Sequence, residues 1–360
     1  MSQAYVPPDV GLRGRGAGGN TPNRFERLRY ANDDAIEPEP AAEAPALRTE
    51  FFSDASRSVL STNDSPDIPF DVSLNPYRGC EHGCAYCYAR PTHEYLGLSA
   101  GLDFESRILV KEGAPELLRK ELSSRNWKPQ TVALSGVTDP YQPVERRLGL
   151  TRRCLEVFLD FRNPVGIVTK GDLVVRDVDL LSALSGFGAA SVALSIATLD
   201  EGLARAMEPR APSPRARLEA IRALSASGVP TSVYVAPVVP GLNDHEMPAV
   251  LAAAREAGAR FASATPVRLP LAVAPLFVDW LERNVPLRKE KVLSRIRDVR
   301  GGRLNDPGFG ARMRGEGPYA EQLRALFRAA ARRAGFEGGG PSLSAASFRV
   351  RAGPQLSLFP

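Results

Sequence analysis

The chain has 360 residues, 43% hydrophobic and 24% charged, with a formal net charge of +5. This is globular composition, long enough for one large domain or two smaller ones. No run of roughly 18 apolar residues occurs, which excludes a membrane-spanning helix, and the start MSQAYVPPDVGLRGRGAGGN has no apolar core of the signal-peptide kind, so a cytoplasmic location is expected.

Residues 1–48 are rich in Gly, Pro and Ala, and basic patches there give way to the acidic run DDAIEPEPAAEAP. Little in them can bury a core, so a disordered N-terminal segment is expected. Beyond it, strand-like and helix-like runs alternate. FDVSL (70–74), TVALS (131–135), VGIVT (165–169), ASVALSIA (190–197), VPTSVYVAPVV (229–239) and ARFASATPV (259–267) read as strands. LTRRCLEVFLDF (150–161), RDVDLLSAL (176–184), SPRARLEAIRALSASG (213–228) and HEMPAVLAAAREAG (245–258) have helical spacing, the last two stopping on Gly. Near-continuous β-branched runs between helices predict a parallel sheet covered on both faces, here an α/β partial (β/α)6 TIM-like barrel over residues 49–270. Residues 271–337 leave the repeat and read as a basic helical extension. Residues 338–360 open with GGGPSLSAAS and read as a flexible tail.

Charge is uneven along the chain. From Arg283 to Arg351 there are 16 Lys/Arg and 6 Asp/Glu, a net of +10, which leaves the rest near −5. A basic third on an acidic body suits an anionic partner, nucleic acid first, although arginines on solvated helix faces give the same count.

Three of the four cysteines, Cys80, Cys84 and Cys87, fall within NPYRGCEHGCAYCYAR (75–90). In a reducing compartment such a group more often binds metal than forms a disulfide. A structural zinc needs four ligands, and the fourth would have to be His82, His93 or Cys154. A [4Fe–4S] cluster on three cysteines keeps one iron open for a substrate or cofactor. Gly79 and Gly83 let the loop wrap closely around such a group.

The C-x3-C-x-aromatic-C run, in a loop after the first strand of a β/α barrel, resembles the radical S-adenosylmethionine (SAM) enzymes over about residues 65–270. The resemblance implies a [4Fe–4S] cluster on Cys80, Cys84 and Cys87. Its open iron chelates SAM, and one electron cleaves SAM to methionine and a 5′-deoxyadenosyl radical. It implies an electron donor such as flavodoxin or ferredoxin. Tyr86 matches the aromatic residue whose backbone faces the adenine. Ser135, Thr138 and Asp139, in SGVTDPYQPVE, match the loop that receives the SAM amino group, and turn chemistry alone explains the same residues. Lys170, in TKGD at a strand end, is a candidate for the SAM carboxylate, and Ser195 for the ribose. CAYCYAR with the S-x-x-T-D-P and T-K loops is most similar to the spore photoproduct lyase branch and its uncharacterised relatives. That branch uses a tyrosine after the third cysteine, matched by Tyr88, and a hydrogen-donor cysteine in the strand-two loop. Residues 135–139 contain no cysteine, and Cys154 on a helix is a poor substitute. The resemblance thus implies DNA over RNA as substrate, in repair or base modification, without that branch's exact reaction.

The chain ends GPQLSLFP. Gln355, Leu356, Ser357, Leu358 and Phe359 resemble the pentapeptide with which bacterial polymerases and repair proteins bind the DNA sliding clamp; a tail folding back onto its own barrel is the alternative. Two other functions stay open. One is the same radical chemistry on RNA, a peptide or a metabolite. The other is a non-catalytic metal-binding scaffold of a clamp complex.

Overall fold

A computed structural model describes residues 15–26 and 47–350. Seven strands form the main sheet: β1 (Leu60–Thr62), β2 (Val72–Leu74), β3 (Val132–Leu134), β4 (Val165–Thr169), β5 (Ala190–Ser195), β6 (Thr231–Val238) and β7 (Phe261–Pro266). Their spatial order follows the chain, and β2 to β7 pair in parallel. These are the six strands read from sequence. β1 adds antiparallel to β2, so the sheet has two edges and curls as an open barrel. The strands β3 and β5 are buried along their whole length, as both-face coverage by helices demands.

The covering helices are α1 (Ala114–Leu122), α2 (Leu150–Phe161), α3 (Val178–Ser185), α4 (Pro214–Ala226) and α5 (Met247–Glu256). Ser213 caps α4 by accepting from the Ala216 amide. Apolar residues at helical spacing in α4, Ala220, Ile221 and Leu224, join Val192 and Val233 in the main core. Three further helices follow, α6 (Val273–Asn284), α7 (Lys289–Asp298) and α8 (Gly317–Ala334). α6 and α7 build a second core, in which Phe277 and Trp280 of α6 pack with Cys84, Ala85 and Tyr86 of the cysteine loop, whereas α8 sends Ala320 and Leu323 into the main core.

Two features depart from the sequence reading. Residues 15–26 lie within the segment expected to be disordered, yet Ala17, Thr21 and Asn23 are buried against the body. Their glycines mark a close backbone approach rather than a solvated chain. At the other end, residues 341–350 pack back on the barrel: Ser344 N–H donates to Gly188 O, Arg349 N–H to Phe161 O, and the Phe348 and Phe161 rings stand 6.2 Å apart. A small sheet of Glu50–Ser53, Arg107–Val110 and Tyr77–Arg78 was also not legible beforehand.

Candidate active site

The cysteine loop leaves the C-terminal end of β2 and is held by an internal ion pair. Arg90 is fully buried and donates to the carbonyls of Gly83, Cys84, Ala100 and Gly101 while pairing with buried Glu105. Glu105 in turn accepts from the amides of Gly16 (3.0 Å) and Ala17 (2.8 Å), strapping residues 15–20 across the loop. The strap is so close that a Cβ on Gly16 would fall 1.8 Å from Gly83 O, and one on Gly83, at φ +65°, 2.6 Å from Glu105 Oε2. A buried pair with its donors and acceptors filled is a rigid fixture; breaking it strands a charge.

Cys80 and Cys84 are buried, and each packs against Cys87. Burial pushes the Cys84 thiol up to about 12 and raises Cys80 as well. As free thiols both stay protonated, so a metal must displace the protons. Among the described residues no three thiol, imidazole or carboxylate groups converge on one ion-sized point. A single structural zinc therefore lacks its tetrahedron. A four-iron cluster takes its thiolates at separate corners, and three thiols on one loop, two buried and Cys87 partly exposed, fit that donor set.

The loop after β3 turns its polar groups inward. Thr138 Oγ1 donates to Gly79 O (2.5 Å), and Gln142 Nε2 reaches Thr138 Oγ1 (3.0 Å) while its Oε1 accepts from Glu81 N. Ser135 Oγ points to Thr138 O at 3.4 Å. Asp139 accepts from Thr169 Oγ1 (2.6 Å), Tyr141 N (2.9 Å) and Lys170 N (2.8 Å), and His82 Nδ1 lies 3.3 Å from its Oδ2. Burial works to raise this carboxyl, but the His82 charge and the donated hydrogen bonds hold it far below the usual range. Thr138 and Asp139 thus tie this loop to the cysteine loop and to the end of β4, the Ser135 hydroxyl bonds within its own loop, and both Asp139 oxygens already have partners.

The ends of β4 and β5 are different. Lys170 Nζ sits 5.6 Å from the Tyr86 ring centroid and 3.4 Å from Ser195 Oγ, which itself donates to Ala236 O (2.8 Å). Burial works to lower the ammonium, yet Cys84 in the thiolate form of a metal ligand and the Glu208 carboxylate outweigh it and hold Lys170 above its ordinary value. Glu208, buried, accepts from Tyr86 OH and from Arg217, whose Nη1 donates to Ser195 O (2.8 Å). Tyr88 stands apart: its OH donates to Gly136 O (2.7 Å) and the residue is 47% exposed.

Lys170, Ser195 and Tyr86, named from sequence, therefore meet at one place beside Cys84. Glu208 and Arg217, which fix Tyr86 and Ser195, were missed. A signal existed for Arg217: it shares the apolar face of α4 with Ala220, Ile221 and Leu224, where a lone charge needs a buried partner. Arg90, His82 and Gln142 carry no comparable mark. Cys154 is fully buried among apolar residues of the main core. Residues 355–359 lie outside the described residues. Among those described, no helix is long and apolar enough to cross a membrane.

Known proteins resemble this chain in sequence and in fold. An uncharacterised protein of Mycobacterium tuberculosis is 38% identical over 234 residues, 64% of this chain and 68% of the relative. A protein of Pseudomonas phage M6 named radical SAM Nα-GlyT isomerase is 27% identical over 201 residues, 54% of this chain and 39% of that protein. Among solved structures, spore photoproduct lyase complexed with dinucleoside spore photoproduct shares the fold, with a TM-score of 0.57 at 16% identity, covering 79% of each chain. The sequence model of the Radical SAM superfamily matches residues 74–254, from the end of β2 into α5. That span begins just before the cysteine loop and takes in Lys170, Ser195 and the Glu208–Arg217 pair, so the chain belongs to the radical SAM superfamily, enzymes that use a [4Fe–4S] cluster and SAM.

Proposed function

We propose that this radical SAM enzyme acts on nucleic acid, DNA ahead of RNA, in repair or modification of a base. The observation that carries the site assignment is the meeting of Lys170, Ser195 and Tyr86 beside the buried thiols at the strands' C-terminal ends, the face on which β/α barrels place their chemistry. In this reading Cys80, Cys84 and Cys87 hold the cluster. Lys170 offers its ammonium to the SAM carboxylate, Ser195 its hydroxyl to the ribose, and Tyr86, clamped by Glu208, frames the adenine. With the cluster and SAM bound, the site would supply a 5′-deoxyadenosyl radical, given one electron from a donor of the flavodoxin or ferredoxin type. Asp139 serves as a brace rather than as the acceptor for the SAM amino group. Tyr88 faces outward beside Cys87, where a substrate would approach.

Nucleic acid is favoured by three observations together. The fold is shared with a lyase solved with a dinucleoside lesion, a phage relative is named for isomerising an Nα-GlyT group, and the C-terminal third is basic. Several of those arginines are tied to local carboxylates, as Arg283 is to Asp279 and Arg295 to Asp298, so the basic count overstates the free charge. With Cys154 buried, the reaction differs from one that returns hydrogen from a cysteine beside the substrate.

The test is anaerobic reconstitution with iron and sulfide, reduction, and quantification of 5′-deoxyadenosine, with and without DNA or RNA. Wild type is expected to form it and Cys84→Ala to form essentially none. Equal yields from the two proteins would remove the cysteine assignment. Recruitment by the sliding clamp through residues 355–359 belongs to the same proposal. Clamp capture is expected to fall at least tenfold in the double variant Leu358→Ala/Phe359→Ala, and equal capture ends the recruitment idea.

A further inference from the structure

Arg268 follows β7 at the barrel mouth. Its guanidinium carbon lies 4.6 Å from the Tyr88 ring centroid, and its Nη1 lies 2.9 Å from Met313 Sδ, a weak neutral acceptor. Among the described residues no carboxylate comes within ion-pair distance of it. Its charged neighbours are mainly cations. Arg300 is 1% exposed and gives its terminal N–H groups to the carbonyls of Pro266, Val267, Ala311 and Arg312, which leaves its buried Nε without a partner. Arg312 is neutralised by Asp67, whose other oxygen also accepts from Gly310 N. Burial and the nearby Arg312 lower the Arg268 guanidinium, with Tyr88 and Asp67 acting against them.

A half-buried cation without a counter-ion is unfavourable unless an anion arrives to complete it. Here it stands over the ring of Tyr88, a residue that remains 47% exposed. A planar guanidinium binds phosphate through two parallel hydrogen bonds, and an exposed ring beside it stacks a base of any identity. We propose that Arg268 and Tyr88 form a nucleotide-binding edge at the mouth, with Arg268 taking a backbone phosphate of a single-stranded or everted nucleotide and Tyr88 stacking its base. The site rests on the nucleic-acid reading above and sharpens it. Arg300 holds the two loops that frame the edge, and its own charge excludes a cationic ligand.

The experiment is a fluorescence-anisotropy titration of a short labelled oligothymidylate with the full-length, cluster-reconstituted protein at several salt concentrations. SAM affinity is measured on the same samples by calorimetry. Arg268→Gln is expected to weaken oligonucleotide binding about tenfold and to flatten the slope of log K on log salt by about 0.7, the share of one phosphate contact on a single strand. Arg268→Lys should restore the slope but not the full affinity, because a point charge lacks the fork. Tyr88→Leu should weaken binding without changing the slope. If Arg268→Gln leaves both affinity and slope at wild-type values, the edge is rejected while the nucleic-acid reading stands. If it lowers SAM affinity and spares the oligonucleotide, Arg268 serves the cofactor's carboxylate and the proposal is overturned. If wild type binds SAM and no oligonucleotide, the functional reading falls and the edge falls with it.

Discussion

The loop after β3 and the ends of β4 and β5 lie side by side at one mouth, and both carry hydroxyls and a charge. In the first, Asp139 accepts three hydrogen bonds and faces His82, while Thr138 and Gln142 close on the cysteine loop. In the second, Lys170 has three ammonium donors and one long contact, 3.4 Å to Ser195 Oγ, with the Tyr86 ring beside it. The difference teaches that residue type at a strand's C-terminal end does not separate a brace from a ligand. What separates them is whether the chain itself fills the group's hydrogen-bonding capacity. A filled group fixes geometry. An unfilled group, held charged by its surroundings, waits for something else.

The strongest way to break that comparison is at Asp139. Asp139→Asn replaces an acceptor by a donor facing Lys170 N–H or Thr169 Oγ1, and removes the charge that faces His82. The expected loss is about 2–3 kcal/mol of folding stability, the range for a charged hydrogen bond broken in a buried site. It is checked by the denaturant midpoint. The pH dependence has a definite sign. The folded carboxyl is held below its unfolded value of about 3.9, so its contribution is complete above that pH and drains as pH falls below it. Wild type and Asp139→Asn should therefore differ most near neutral pH and converge in acid. A constant gap down to strong acid would show that the carboxylate's charge is not what matters.

Much of the fold was legible because its signal is local. Six runs of β-branched residues, each set off by turn residues, mark β2 to β7 correctly, and helices with apolar faces separate them. The cysteine spacing marked the cluster loop for the same reason, since three ligands of one group must lie close along the chain when one loop supplies them. The misses share a different cause. Gly16 and Ala17 look like part of a solvated Gly-rich tail, and partners far along the chain, Glu105 some 89 positions away and Arg283 beyond it, give them a structural role. The Glu208–Arg217 pair and the Arg90–Glu105 pair are buried charges whose partners are chosen by the way loops meet, which no periodicity encodes. Asp139 was read from sequence as a ligand for the SAM amino group, and the partners it has in the fold come from three loops, which no local pattern encodes.

The smaller prediction sharpens the other side of the comparison. Lys170→Met keeps the length of the side chain and much of its contact with the Tyr86 ring, and removes the ammonium. No hydrogen bond shorter than 3.4 Å is lost from Nζ, so stability should change by less than about 0.5–1 kcal/mol. Removing a partly buried charge can even offset the loss of its attraction to Glu208, since burial opposes the ammonium as strongly as any single neighbour supports it. SAM affinity, by contrast, should fall about tenfold, equivalent to about 1.4 kcal/mol, because a carboxylate would lose its cationic partner. Calorimetric titration of SAM and a denaturation curve on the same variant decide between the two roles. A variant that binds SAM as wild type does while losing 2 kcal/mol or more of stability would make Lys170 a brace like Asp139. The open cluster at the ends of β4 and β5 would then have no claim to be the binding side of the mouth.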